Sequence, residues 1–215
     1  MKENKFKLII FDLDGTIVNS YPAIIDSFNF TMSKLGLKRQ KDIVIRRSVG
    51  WGDRALLSPF VNSHKLDEAL DIYRNHHSKS LLSKVSFMPY AKRLLDYLDS
   101  NSYKLAIATN RPKKFTHILL RSMGIERYFD YILCKDQIKF GKPHPSIINK
   151  IIKRLKVHRQ EALYVGDMAI DVRTGRKANI KTFAVLGGSS TIKELRKEHP
   201  TYLSRNLHKL FFILN

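Results

Sequence analysis

The chain has 215 residues, 43% of them hydrophobic, which is enough for one α/β domain carrying a smaller inserted domain. Its 39 Lys and Arg residues against 19 Asp and Glu residues give a net charge of +20, which favours anionic ligands and permits nonspecific nucleic-acid binding. No run approaches the roughly 18 apolar residues of a membrane span, and the single cysteine, Cys134, excludes an intrachain disulfide.

The start of the chain bears on its compartment. Basic residues precede the apolar run at residues 8–11, but this run is too short for a signal peptide and Asp12 interrupts it. We therefore expect a cytoplasmic protein without a membrane partner. The sequence contains no RNA-recognition or zinc-finger pattern, so we expect no specific nucleic-acid partner, and we expect a monomer or a homodimer.

Helical spacing dominates the chain between its first strand and its middle. Residues 6–11 predict a buried strand, because they are β-rich and alternate little. From residue 21 to about residue 86, apolar residues instead recur at the spacing of amphipathic helices. We therefore predict a helical cap domain at residues 20–86, inserted into an α/β core domain made of residues 1–19 and 87–215.

Strands and helices alternate after the cap. Further strands are predicted at residues 105–108, 131–134, 162–165 and 182–186. Helices are predicted at residues 91–98, 115–123, 146–155 and 171–178, and a last helix is predicted to place Leu203, Leu207, Leu210, Phe211 and Leu214 on one face. This alternation indicates the α/β class, with a Rossmann-like, doubly wound parallel sheet.

Polar residues suited to phosphate chemistry follow four of the predicted strands. They are Asp12 and Asp14, then Thr109 and Asn110, then Lys142, then Asp167 with Asp171 one helical turn further on. Open parallel sheets place their ligand sites at the carboxyl ends of the strands, so we expect these side chains to meet at one edge.

Each residue type suits a step of phosphoryl transfer. One carboxylate of the pair Asp12 and Asp14 can attack phosphorus, and the other can protonate the leaving oxygen. Lys142 supplies positive charge to the transferring group. Asp167 and Asp171, together with Asp12, offer the carboxylate oxygens that Mg²⁺ prefers.

In these motifs the chain resembles the haloacid dehalogenase-like hydrolase superfamily. Residues 12–16 (DLDGT) match its first motif, Thr109-Asn110 its second, Lys142 its third, and Gly166-Asp167 with Asp171 its fourth. The stretches at residues 11–20, 141–145 and 162–172 are similar to the phosphoglycolate phosphatase branch, whose members carry a helical cap at the position of the insertion.

The resemblance implies a role for each matched residue. Asp12 would be the nucleophile and a Mg²⁺ ligand, and Asp14 would be the general acid and base and bind the metal through its backbone carbonyl. Thr109, Asn110 and Lys142 would hold the phosphate. Asp167 would be a further metal ligand, and Asp171 would orient it.

The cap loop near Gly50 would close over the leaving group in this family. Gly50, Trp51 and Arg54 are therefore candidate substrate-binding residues, and Arg46, Arg47 or Arg54 could bind a second anion. For Trp51 a place in the cap core is an equal alternative.

Asp14 separates two chemistries within the superfamily. Its dehalogenases lack an acid at this position, because halide leaves without a proton. The sequence therefore predicts a Mg²⁺-dependent phosphatase that hydrolyses a small phosphorylated metabolite, with 2-phosphoglycolate as one candidate, through an aspartyl-phosphate. A sugar phosphomutase or a pyrophosphatase is the alternative enzyme, and a noncatalytic nucleic-acid-binding protein is the distant alternative.

Overall fold

A parallel sheet of six strands forms the centre of the computed structural model, which describes residues 6–214. In chain order the strands are β1 (Leu8–Phe11), β2 (Val18–Asn19), β3 (Ser86–Phe87), β4 (Lys104–Thr109), β5 (Tyr131–Cys134), β6 (Ala162–Gly166), β7 (Lys181–Val185) and β8 (Tyr202–Ser204). The order across the large sheet is β5-β4-β1-β6-β7-β8, so β1 lies between β4 and β6. The basic residues 1–5 lie outside the described residues.

The helices pack on both faces of this sheet or form the segment between β2 and β3. In chain order they are α1 (Tyr21–Lys34), α2 (Asp42–Ser48), α3 (Asp53–Leu57), α4 (Leu66–Ser80), α5 (Ala91–Ser100), α6 (Lys113–Ser122), α7 (Ser146–Leu155), α8 (Ala169–Lys177), α9 (Ile192–Lys197) and α10 (Lys209–Leu214).

Burial of β1 on both faces explains why its sequence is a continuous apolar run. All four of its residues are buried. Successive side chains of a strand point to opposite faces, so Ile9 and Phe11 join the apolar cluster that includes α5, α6 and α10. Leu8 and Ile10 join the cluster that includes α7. These two layers confirm the predicted doubly wound α/β fold.

The helical segment between β2 and β3, called the cap below, has an apolar cluster of its own. Residues of α1 to α4 and of the loops between them form it, and α1 packs along α4. The strands β2 and β3 pair antiparallel, Val18 with Phe87 and Asn19 with Ser86, where the chain leaves the first strand of the large sheet and returns to α5. This short ribbon, which the sequence analysis does not predict, lies beside the predicted boundaries at residues 19 and 87.

The predicted C-terminal helix that includes Leu203 is wrong in its first part. Leu203 lies in β8, which pairs parallel with β7 through Tyr202 and Phe183. Helix α10 begins only at Lys209. The unpaired backbone groups at the edge of β7 bind residues 202–204 as a sixth strand, and apolar spacing alone does not distinguish this arrangement from a longer helix.

Long apolar helices are absent from the described part of the chain. Between residues 6 and 214, no helix has both the length and the apolar character that crossing a membrane requires.

Candidate active site

The carboxyl ends of β1, β4 and β6 lie side by side because these three strands are neighbours in the sheet. Asp12 follows β1, and its N–H donates to the Val165 carbonyl of β6 at 2.8 Å. Thr109 ends β4, and Asp167 follows β6. Topology thus brings together acids that are about 155 positions apart in the chain, as expected at the edge of a parallel sheet.

Lys142 reaches this edge from the loop between β5 and α7. Asn110, directly after β4, fixes that loop: its side-chain oxygen accepts from the Lys142 backbone N–H at 2.9 Å, and its side-chain nitrogen donates to the Lys142 carbonyl at 3.3 Å. Nζ of Lys142 then lies 2.7 Å from Oδ1 of Asp12 and 2.7 Å from Oδ1 of Asp171. All three side chains are almost fully buried.

Three carboxylates surround a single point of this site. Oxygens of Asp12, Asp167 and Asp171 lie within 4.8 Å of one another. Asp171 is oriented by the Tyr164 hydroxyl at 3.0 Å and by the backbone N–H of Met168 at 3.0 Å. Among residues 6–214 one lysine, Lys142, bonds to these buried carboxylates, so they carry excess negative charge and a divalent cation fits this donor set.

The pKa values of these residues reflect the excess of negative charge. Burial raises the pKa of Asp12 well above its usual range, and the nearby lysine offsets this only in part. Burial, reinforced by the charge of Asp171, raises the pKa of Asp167 to about 7. Burial opposes the charge of Lys142, yet Asp12 and Asp171 outweigh it and raise the pKa of this lysine.

Asp167 is held by residues from three parts of the chain. It accepts from the Thr16 hydroxyl at 2.9 Å, from the backbone N–H of Ser189 at 2.9 Å and from the Tyr21 hydroxyl at 3.3 Å. Gly15 makes this approach possible, because its φ is +82° and a Cβ there would lie 2.8 Å from an Asp167 oxygen. Gly15 and Thr16 of the first sequence motif thus help to position Asp167 of the fourth motif.

Asp14 lies beside the acid cluster and points toward the cap. Arg111 binds it as a fork, Nε to Oδ2 at 2.9 Å and Nη2 to Oδ1 at 2.6 Å, and the Ser20 hydroxyl donates to Oδ1. Burial works to raise the pKa of Asp14, but the arginine outweighs it and holds this pKa below its usual range. The Asp14 side chain is therefore separate from the three clustered carboxylates.

His77, from the cap helix α4, completes this second network. Its Nε2 lies 2.9 Å from Nη1 of Arg111, and Ser27 lies 3.2 Å from its Nδ1. Burial, with the charge of Arg111, lowers the pKa of His77 to about 3. The imidazole is therefore neutral at physiological pH, and its Nε2 accepts a hydrogen bond from Arg111.

A cavity between the sheet edge and the cap joins the two networks. Its lining includes Asp12, Asp14, Asn110 and Lys142 from the sheet side, together with Thr109 and Arg111. From the cap, Gly50, Gly52, Asp53, Tyr73 and His77 contribute to it, with apolar Ile24, Val49 and Leu56. Gly50 closes it tightly: its carbonyl accepts from the Asn110 side chain at 3.0 Å, and a Cβ on Gly50 would lie 2.3 Å from the Met168 sulfur.

Two candidate cap residues lie outside this cavity. Trp51 is about half exposed. Arg54 pairs with Asp67 at the surface. Neither contributes to the cavity lining, whereas their neighbours Gly50, Gly52 and Asp53 do.

The arginines of α2 hold the cap against the core. Arg47 donates to Glu194 and, at 2.6 Å, to the Ser189 carbonyl. Arg46 donates to the Gly187 carbonyl and lies 4.2 Å from the centre of the Tyr21 ring. Both arginines therefore have partners in the loop that follows β7, and neither lines the cavity.

Arg111 is one of the site residues that the sequence analysis misses, together with Tyr21, His77 and Tyr164. The sequence feature that could have pointed to Arg111 is its position directly after Thr109 and Asn110. Its partners Asp14 and His77 come from distant segments, and nothing in the chain's many basic residues distinguishes it before folding.

Comparisons with known proteins agree on one family. A sequence profile described as haloacid dehalogenase-like hydrolase matches residues 9–185. Phosphoglycolate phosphatase from Pseudomonas fluorescens is 30% identical over 213 residues, covering 95% of this chain and 78% of that protein. Pyrophosphatase PpaX from Oceanobacillus iheyensis is 25% identical over 210 residues, covering 97% of this chain and 96% of that protein.

The fold has close counterparts among solved structures. That of a predicted phosphoglycolate phosphatase from Haemophilus somnus 129PT has a TM-score of 0.92 with this chain at 22% identity, covering 98% of this chain and 99% of that one. This likeness concerns the fold.

Proposed function

This chain belongs to the haloacid dehalogenase-like hydrolase family, and we propose that it is a Mg²⁺-dependent enzyme acting on a small phosphorylated metabolite. It is a phosphatase, as its named relatives are. The observation that carries the proposal is Lys142, which joins Asp12 to Asp171 at 2.7 Å on each side and faces the same cavity as Asp14.

The geometry divides the reaction between two acids. Asp12 attacks phosphorus, a bond forms from its Oδ to phosphorus, and the bond from phosphorus to the leaving oxygen breaks. Asp14, on the cap side, passes a proton to that oxygen and then takes a proton from the water that releases phosphate from Asp12. Because Arg111 keeps the pKa of Asp14 low, the proton that Asp14 passes on enters with the monoanionic phosphate group of the substrate. Thr109 and Lys142 bind the phosphoryl oxygens. Asp12, on which the acyl phosphate forms, is almost fully buried, and this limits the access of bulk water to it.

Asp12 and Asp167, with the backbone carbonyl of Asp14, would hold Mg²⁺. When bound, the ion neutralises the carboxylates and the charge on the transferring phosphoryl group. Asp171 instead binds Lys142 and orients the site. Action on metabolic phosphates is consistent with a cytoplasmic protein.

The first candidate substrate is 2-phosphoglycolate. Inorganic pyrophosphate is the second candidate, because the PpaX relative aligns along nearly the whole chain.

A panel of phosphate compounds tests the proposal. Phosphate release from both candidates, from β-glucose 1-phosphate and from p-nitrophenyl phosphate would be measured with Mg²⁺ present. We expect the highest kcat/KM for one of the first two. Isomerisation of the sugar phosphate without phosphate release would establish a mutase instead. Inactivity toward every compound together with salt-sensitive DNA binding would overturn the proposal that the protein is an enzyme.

We expect Mg²⁺ to raise the melting temperature, and to raise it more at about pH 8 than at about pH 5.5. The pKa of Asp167 rises from 3.8 to about 7 on folding. Between these values the folded state holds a proton that the unfolded state lacks, so without the cation stability falls as pH rises through this window. Above this pH window Asp167 is ionised, and the cation relieves its repulsion with the neighbouring carboxylates. Thermal unfolding with Mg²⁺ or EDTA at both pH values measures the effect.

Asp167→Asn is the control for this stabilisation. It removes one carboxylate from the cluster, so the melting-temperature increase with Mg²⁺ should become small at both pH values. An undiminished increase in this variant would place the cation elsewhere.

A further inference from the structure

Arg111 is a buried cation in the part of the cavity that receives the leaving group. Its side chain is 6% exposed and lines the cavity beside Asp14. The other cation of the lining, Lys142, is already bonded to Asp12 and Asp171 on the phosphoryl side. Because the leaving oxygen must reach Asp14 to be protonated and Arg111 bonds to Asp14, a short leaving group would lie near Arg111.

The guanidinium is fixed in place and still has donors to offer. Asp14 takes Nε–H and one N–H of Nη2, and His77 takes one N–H of Nη1. A guanidinium carries five N–H groups, so one remains on each terminal nitrogen, without a hydrogen-bond acceptor within residues 6–214. A carboxylate or a phosphate matches such a pair of donors.

Aromatic packing fixes the imidazole of His77, which bonds to the guanidinium of Arg111. His77 stacks on Tyr73, with ring centres 4.9 Å apart, and meets the edge of Phe115 at 5.4 Å. The imidazole is neutral, so it orients Arg111 without compensating its charge. Asp14 compensates the charge of Arg111, so a second anion would bind through the two remaining N–H groups of this preorganised side chain.

Three arginines of the cap that could bind a second anion are committed to other partners. Arg46 and Arg47 bind the loop after β7, and Arg54 binds Asp67. None of the three lines the cavity. A second negative charge on the substrate thus meets an arginine of the core.

We propose that Arg111 is the specificity-determining residue of this enzyme, binding a carboxylate or phosphate on a short leaving group. The inference rests on the proposed phosphatase function and deepens it: the preferred substrates are phosphate esters or anhydrides whose leaving group is itself anionic. An ester with an uncharged leaving group leaves two buried donors of Arg111 without acceptors, which costs transition-state stabilisation.

A matched pair of esters isolates this role from any effect of Arg111 on Asp14. The two are 2-phosphoglycolate and 2-hydroxyethyl phosphate, which share an alkyl leaving oxygen but differ in the carboxylate. For Arg111→Met we expect kcat/KM to fall about 10- to 100-fold more for 2-phosphoglycolate than for the neutral ester. Arg111→Lys, which keeps the charge but not the fork, should retain part of the preference.

Arg121→Met is the matched control, because this arginine is exposed on α6 and pairs with Glu126. It should leave both kcat/KM values unchanged. Equal losses on the two esters in Arg111→Met would overturn the inference while leaving the phosphatase intact. Inactivity of the unaltered protein on both esters and on p-nitrophenyl phosphate would instead overturn the proposed function.

Binding gives a second measurement that needs no turnover. In the Asp12→Asn background, calorimetry compares the affinities of 2-phosphoglycolate and 2-hydroxyethyl phosphate with Arg111 present or replaced by Met or Lys. We expect the carboxylate ester to lose its advantage when Arg111 is Met. An advantage that persists in a variant with an unchanged melting profile would contradict the inference.

Discussion

Asp12→Asn should abolish turnover in a protein that remains folded. The amide cannot form the bond to phosphorus, so we expect kcat to fall on the order of 10⁴-fold or more. The fold should tolerate the change, because the side chain keeps its shape and a buried charge is removed from a site with excess carboxylate. Phosphate release and the far-ultraviolet circular dichroism spectrum together measure the two effects.

Asp71→Asn is the matched control for this substitution. Asp71 is an exposed residue of α4, so the same chemical change there should leave turnover unaltered. If Asp12→Asn kept substantial activity, Asp12 would not be the nucleophile. A stable phosphoenzyme trapped on another residue would lead to the same conclusion.

Lys142→Met should lower both activity and stability, and its effect on stability should depend on pH. Nζ of Lys142 is the cation between Asp12 and Asp171, so its loss leaves buried carboxylates uncompensated. We expect kcat to fall about 10³-fold, since the developing charge loses a preorganised partner. At about pH 8 the free energy of unfolding should fall by about 3–5 kcal/mol, the typical cost of breaking a buried pair.

The pH dependence follows from the sign of the pKa shift. Burial already raises the pKa of Asp12, and Lys142 lowers it, so removing the lysine raises it further. A carboxyl group whose pKa is raised on folding destabilises the protein increasingly as pH rises from its unfolded pKa to its folded pKa. Urea unfolding without Mg²⁺ should therefore show a smaller loss at about pH 5.5 than at about pH 8.

Lys153→Met on the exposed side of α7 serves as the control and should change neither quantity. A loss of stability that is the same at both pH values would indicate that Lys142 acts through packing alone. Undiminished kcat would exclude it from phosphoryl transfer.

The fold class follows from the sequence because burial on both faces leaves a clear pattern. Continuous apolar runs such as Leu8–Phe11 alternate with amphipathic helices, and only a parallel sheet covered on both sides accommodates that pattern. The exception is residues 202–204, where apolar spacing fits a helix but backbone pairing with β7 decides for a strand. Edge pairing depends on a partner strand, which a local pattern does not contain.

The same physics explains how much of the candidate site could be predicted. Asp12, Thr109 and Asp167 follow neighbouring parallel strands, so their meeting at one edge is a consequence of topology. The cap residues Trp51 and Arg54 illustrate the limit. Their place relative to the cavity depends on how helices α2 and α3 pack, and a loop sequence carries no such information.

By itself the sequence indicated the chemistry: two acids after a buried strand, a lysine in the loop after another strand, and a second acidic pair after a third. Only the tertiary structure decided the separation of Asp14 from the acid cluster and its pairing with Arg111. Strand ends are set by local patterns, which the chain displays directly. The Arg111 contacts with Asp14 and His77 join residues 97 and 34 positions apart, so the first exists only after the sheet has formed and the second only after the cap has packed against it.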